Sequence, residues 1–82
     1  MDPASRTQKQ LGAELRRYRK KRQLSQAQLS LEINKRQATI SNLEAEGTGT
    51  LETLFAVLAA LDLEIALRPR SKSDRSKLGD IF

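Results

Sequence analysis

The middle of this chain carries the signals for two short helices separated by a tight turn. Ser25 and Gln28 have the spacing of a capping box, in which their side chains pair with the backbone amides at a helix start. They predict a helix over residues 26–33. Asn34 follows, and asparagine tolerates the left-handed backbone conformation that a sharp turn needs. The chain must therefore change direction after a very short helix.

A second short helix is predicted directly after this turn, over residues 36–46. Ile40 and Leu43 lie three positions apart and share a face, and Gly47 is the residue type that most often ends a helix. Two short helices joined by a tight turn form an arrangement that presents the second helix to the DNA major groove. Its remaining polar residues are then candidates for contacts with DNA.

Further helices are predicted on both sides of this pair. Thr7 has the side-chain oxygen of an N-cap for a first helix that ends near Arg22, and Thr50 has it for a fourth helix. We expect the fourth to be the central core helix, because apolar residues cover much of its circumference. They are Leu51, Leu54, Phe55, Val57, Leu58 and Leu61.

The hydrophobic period changes from helical to alternating after the fourth helix. Leu63, Ile65 and Leu67 alternate with other residues until Pro69 ends the run, which is a strand pattern. Since a lone strand leaves its backbone unpaired, and no other segment predicts a strand, its expected partner is the same strand of a second copy. This predicts a homodimer joined by an intermolecular ribbon. The alternative is an extended tail packed on the chain's own domain.

The length and composition allow one small domain. The 82 residues include no cysteine and no histidine, so disulfides and the usual zinc sites are excluded and oligomerisation is the expected reinforcement. We predict a flexible arm over residues 1–6, a DNA-binding domain over 7–62, a dimerisation strand over 63–68 and a flexible tail over 69–82.

Several classes of function are not expected. No stretch resembles a signal peptide or reaches the length of a membrane span, which predicts a cytoplasmic, nucleoid-associated protein without membrane contact. The carboxylates are scattered, and no glycine-rich phosphate loop or nucleophile motif occurs. We therefore expect neither an enzyme nor a protein with a metal or cofactor.

Basic charge lies at the two ends of the chain, most of it near the N-terminus. Residues 1–22 contain eight of the 15 Lys and Arg residues and only two acidic residues. A run such as RRYRKKR is often just the solvated face of a helix, but beside a DNA-binding helix it is also suited to contacts with phosphate groups.

The second short helix supplies the expected contacts with bases. Gln37 carries the amide for a bidentate contact with adenine, and Ala38 suits a thymine methyl group. The predicted base contacts are Arg36, Gln37, Ala38, Ser41 and Asn42. The predicted phosphate contacts are Ser25, Gln26, Lys35 and Thr39, the first two at a helix N-terminus. For any single one of these polar residues, the alternative is a solvated side chain without a DNA contact.

Eight residues in register resemble the helix-turn-helix family of the phage repressors and Cro proteins: Gln26, Leu29, Ser30, Ile33, Asn34, Ile40, Leu43 and Glu44. The resemblance covers residues 10–61, although Lys35 stands where an apolar residue is common. It implies an all-α, compact domain of four to five helices, to which a dimer adds a short C-terminal β-strand. It also implies a structural ion pair between Arg19 and Glu44.

The segments QATISNLE and TLETLFAVLAALDLEIAL are similar, more specifically, to the HipB-type antitoxins of this family. That resemblance implies a homodimer that represses its own operon on a palindromic, double-stranded operator and neutralises a HipA-like serine/threonine kinase toxin. A C-terminal aromatic residue inserts into the toxin in this family, which implies such a role for Phe82. Two alternatives remain open: a free-standing repressor without a toxin, and a protein that mainly binds a partner protein.

Overall fold

The computed structural model describes residues 5–70 and contains four α-helices in this range, in agreement with the predicted all-α architecture. They are α1 over Gln8–Lys21, α2 over Gln26–Glu32, α3 over Gln37–Glu46 and α4 over Leu51–Ala60. None of the helices in this range is long and apolar enough to cross a membrane.

Three of the four helices begin at the predicted caps. The side-chain oxygens of Thr7, Ser25 and Thr50 each accept a hydrogen bond from the backbone amide three residues later, at 3.1, 3.0 and 3.1 Å. Gln28 completes the capping box, since its side-chain oxygen accepts from the Ser25 amide at 2.8 Å. The start of α3 differs from the prediction by one residue, because Arg36 is its N-cap and forms no side-chain capping bond.

Residues in the left-handed conformation end all four helices. Asn34 has a φ of 58° after α2, and Gly47 has a φ of 72° after α3, as their residue types predict. Gln23 and Asp62 adopt the same conformation after α1 and α4, with φ of 59° for both. After α1, α2 and α4 the following amide donates back to the last helical turn, at 3.2, 2.9 and 2.8 Å. These bonds pair carbonyl groups that a helix end would otherwise leave free.

The hydrophobic core lies between the helices, and every helix contributes to it. Its buried apolar side chains are Leu15, Leu29, Ile40, Leu43, Leu54, Val57, Leu58 and Leu61. α3 packs against both α1 and α2, and α4 packs against α2. One side of α3 is therefore enclosed by the domain.

The fourth helix contributes four of its six apolar residues to the core, and the other two lie outside it. Leu51 and Phe55 are 72% and 55% exposed. Both lie beside the face of α4 that carries Leu54 and Leu58, and within a single protomer only that face is buried by the other helices. Their exposure leaves an apolar edge on α4.

The segment after α4 has no regular secondary structure and forms no strand within residues 5–70. Leu63 is half-buried against the core, whereas Leu67 is 95% exposed and Ile65 is also exposed. The segment therefore packs on its own domain at Leu63, whereas Ile65 and Leu67 are not part of the core. A β-strand forms only when it pairs with another strand, which a single protomer does not offer within residues 5–70. Pairing with a second copy therefore stays a prediction. The predictions for residues 1–4 and for Phe82 lie outside the described residues.

Candidate nucleic-acid interface

The connection between α2 and α3 is short and tightly bonded. Asn34 makes the left-handed turn, and the amide of Lys35 donates to the carbonyl of Ser30 at 2.9 Å. Ser30 is buried, and its hydroxyl donates to the carbonyl of Ala27 at 2.7 Å. The small Ser30 side chain therefore fits between the helices and leaves no polar group unpaired. The turn and its hydrogen bond fix the direction of α3 relative to α2.

The outward side of α3 carries most of the predicted base contacts. Gln37, Ala38 and Asn42 are exposed and Ser41 is half-buried, whereas Ile40 on the opposite side is fully buried. Arg36 is exposed as well, but it precedes the helix as its N-cap. Thr39, a predicted phosphate contact, is half-buried. The helix thus presents short polar and small side chains to solvent from a rigid support.

Gly12 allows α1 to approach α3 closely. A Cβ atom at this position would lie 2.7 Å from the carbonyl oxygen of Glu44, and closer still to that of Leu43. Glycine costs about 1 kcal/mol in a helix interior relative to alanine, so its presence in α1 is unfavourable for the isolated helix. The contact with the α3 backbone explains it.

A buried ion pair joins α1 to α3, as the family resemblance implies. The Arg19 Nε donates to Glu44 Oε2 at 2.6 Å, and Nη2 donates to Oε1 at 3.0 Å. The remaining Nη1 donates to the carbonyl of Leu24 at 2.7 Å. The two side chains are only 8% and 3% exposed. Every donor nitrogen of the guanidinium therefore has a partner, which a buried charge requires.

Gln26 also belongs to this network. Its Nε2 donates to Glu44 Oε1 at 3.1 Å, a hydrogen bond that the sequence pattern did not reveal. Gln26 and Ser25 were both predicted to contact phosphate, and the structure shows that each also has an internal role, since the Ser25 oxygen caps α2. Their phosphate contacts stay predictions.

Lys35 forms an ion pair with α4. Its Nζ lies 3.1 Å from Glu52 Oε1, and the Lys35 side chain is 32% exposed. Lys35 also lines an open cleft of about 550 Å³ together with Asn34, Arg36 and Thr39. Three of the residues predicted to contact DNA thus lie side by side at the N-terminal end of α3.

The basic residues of α1 differ in how they are engaged. Arg17 forms a bidentate pair with Glu14 at 2.8 and 3.3 Å, and its guanidinium lies 4.6 Å from the centre of the Tyr18 ring. The hydrogen bond from Arg17 lowers the pKa of the Glu14 carboxyl from its ordinary value and raises that of Arg17 itself. Lys21 lies 5.6 Å from the same ring.

The family model for helix-turn-helix proteins matches residues 15–67, which is more than half of the chain. The chain belongs to the helix-turn-helix family. The match includes α2, the turn and α3, together with the helix that follows them. No curated protein matches the chain in sequence.

Solved structures of HipB share this helix-turn-helix fold. A serine-to-alanine HipB variant in complex with the O2 20mer matches with a TM-score of 0.79 and 30% identity over 87% of this chain and 100% of that chain. HipB with the O4 20mer and a HipA–HipB–O2–O3 complex match with TM-scores of 0.78 and 0.79, each at 30% identity over 85% of this chain and 100% of the other. The HipB-type resemblance of the sequence is confirmed.

Proposed function

We propose that this chain is an antitoxin and autorepressor: a homodimer that binds a palindromic operator and neutralises a HipA-like kinase toxin. One observation carries the proposal. The outward polar side of α3 is held on a buried support, in a fold that matches HipB in complexes with 20mers and with HipA. The role is regulatory and needs no chemistry of its own.

Double-stranded DNA is the first proposed partner. The base contacts are Arg36, Gln37, Ala38, Ser41 and Asn42, and the phosphate contacts are Ser25, Gln26, Lys35 and Thr39. The amides of Gln37 and Asn42 suit the edge of adenine, and both side chains are exposed. The net charge of +5 favours a polyanionic partner.

Gln37→Ala tests the reading of bases by α3. The variant should lose about 1–3 kcal/mol of discrimination at one position of each half-site, because the bidentate amide is gone, while its affinity for unrelated DNA stays nearly unchanged. The measurement is a set of binding titrations on an operator and on duplexes with single base substitutions. Equal weakening on all duplexes would contradict the assignment.

A second copy is the next proposed partner, through the segment that carries Leu63, Ile65 and Leu67. The alternating apolar residues of this segment and the exposure of Ile65 and Leu67 in a single protomer support the proposal. Two copies related by a twofold axis would place two recognition helices about 34 Å apart, or a multiple of this distance, on a palindromic site.

A HipA-like serine/threonine kinase toxin is the third proposed partner, with Phe82 as a contact from the tail. The similarity to HipB in the HipA–HipB–O2–O3 complex supports it. The test is purification of the full chain from its native host, followed by identification of bound protein and DNA. A bound kinase would support the antitoxin role. DNA recovered without any kinase would favour the second candidate, a free-standing repressor.

A further inference from the structure

α1 carries an arginine that faces α3 and has no partner among residues 5–70. Arg17 is paired with Glu14, and Arg19 is paired with Glu44. Arg16 lies between them in sequence, is exposed, and forms no hydrogen bond or ion pair within residues 5–70. Its charge is available to a ligand from outside.

The position of Arg16 follows from the packing of α1 on α3. Gly12 lies one helical turn before Arg16 and brings the two helices into backbone contact. Arg16 then lines a small cleft of about 120 Å³ between α1, α2 and α3, together with Gln26, Ser41, Glu44 and Ala45. Gln26 and Ser41 are residues for which we propose DNA contacts, so Arg16 lies on the same side of the molecule.

The electrostatics of this cleft favour an external anion. Both oxygens of Glu44 already accept hydrogen bonds, from Arg19 at 2.6 and 3.0 Å and from Gln26 at 3.1 Å. The carboxylate is therefore neutralised by a guanidinium other than that of Arg16. Arg16 forms no ion pair within residues 5–70 and lines this cleft together with Ser41, and a guanidinium and a hydroxyl that line one cleft suit a phosphate group.

We infer that Arg16 binds a phosphate of the DNA backbone at the α1–α3 cleft. This inference rests on the proposed DNA-binding function and extends it to a helix outside the α2–α3 pair. Arg16 neutralises one phosphate in each half-site and reads no base. Its contact fixes the position of α1 against the duplex, and thereby the position of α3.

Arg16→Gln tests the inference, with Arg17→Gln as the matched control. The two variants lose the same charge at neighbouring positions of one helix, but the Arg17 charge is already paired with Glu14. The probes are a duplex of about 30 base pairs, selected with the wild-type chain from a random pool, and a shuffled version of it. Binding is measured on both duplexes over a range of salt concentrations.

We expect Arg16→Gln to lower the affinity for both duplexes alike, on the order of ten- to thirtyfold at about 0.15 M salt. For a dimer, the variant should also reduce the slope of log K against log salt by roughly 1.8. Arg17→Gln should change the slope much less. Arg16→Lys should restore the slope, because counterion release depends on charge rather than on shape. Equal slopes for Arg16→Gln and Arg17→Gln would overturn the role of Arg16 alone. A wild-type chain that binds neither duplex would overturn the proposed DNA-binding function, and the role of Arg16 with it.

Discussion

Glu44 shows how much of the site depends on a single residue. Its carboxylate lies in the interior, where an unpaired charge costs several kcal/mol, and it is satisfied by Arg19 from α1 and Gln26 from α2. Since Glu44 itself lies on α3, three helices meet at this one group. The side chain therefore has a structural role, and we do not include it among the proposed DNA contacts.

Glu44→Ala should lower the free energy of unfolding by about 3–5 kcal/mol, because it leaves the buried Arg19 guanidinium without its counter-charge. Glu44→Gln, which keeps one acceptor oxygen, should lose less. Urea unfolding followed by circular dichroism measures both. Glu46→Ala is the control, since Glu46 is exposed on the same helix and its loss should cost less than about 0.5 kcal/mol. Equal losses at the two positions would contradict the role of the ion pair.

At the residue scale, the sequence predicted which residues have structural roles better than it predicted which side chains contact each other. The Arg19–Glu44 pair followed from the family resemblance, and the Ser25–Gln28 capping box followed from local spacing. The hydrogen bond from Gln26 to Glu44 did not, because a periodic pattern assigns residues to faces but does not determine which side chains meet across helices. Residues at such tertiary contacts require the packed structure.

Among the helices, the placement of α1 on α3 depends on the missing side chain of Gly12. An isolated glycine in a predicted helix lowers the expected stability of that helix. In the structure, close packing of α1 against α3 offsets this cost, since backbone atoms of α3 occupy the space that a Cβ would need. The depth of this contact sets where the exposed side of α3 lies relative to α1.

Gly12→Ala separates two effects of opposite sign. Helix propensity alone predicts a gain of about 1 kcal/mol in stability, whereas the clash with the α3 backbone predicts a loss of about 1–3 kcal/mol. We expect a net loss, because the clashing atoms are carbonyl oxygens that cannot rotate away. Thermal unfolding gives the sign directly. A higher midpoint than that of the wild type would show that the helices separate at little cost.

At the element scale, helix starts were predictable and helix ends were less so. Thr7, Ser25 and Thr50 cap their helices through side chains of a kind that the sequence reveals. Gln23 and Asp62 adopt left-handed conformations that their residue types do not demand, because tertiary packing and the backbone bonds after each helix hold them there. The exposure of Leu51 and Phe55 was not predictable either, since an apolar residue type does not show whether its own chain covers it.

On the scale of the whole molecule, the apolar residues left uncovered are those expected of an incomplete assembly. The exposed large apolar side chains of residues 5–70 are Leu31, Leu51, Phe55, Ile65 and Leu67. Two belong to the segment for which we propose pairing between protomers, and two form the apolar edge of α4. Isolated exposed residues of this kind are ordinary, but a row of them on one segment marks a contact surface.

Ile65→Asp should weaken dimerisation, because it places a charge on the side of the segment that the proposed ribbon buries. Ala66→Asp is the matched control, since Ala66 is exposed and lies on the opposite face of the proposed strand, where side chains alternate. Sedimentation equilibrium measures the association of each. We expect a dissociation constant at least tenfold higher for Ile65→Asp than for Ala66→Asp, since a buried unpaired charge costs more than about 1.4 kcal/mol. Unchanged association of both variants would argue against the ribbon.

The location of the core within residues 15–61 determines the order of events in assembly. All eight of its buried apolar side chains lie there, and Ile65 and Leu67 add nothing to it. Helical domains with mostly local contacts fold in microseconds to milliseconds, whereas the meeting of two chains depends on their concentration and is slower. For the proposed dimer, this order predicts that each newly made protomer completes its interior before it finds a second one. The delay before the proposed pair accumulates is then set by how fast the concentration of the chain rises, not by the rate of folding.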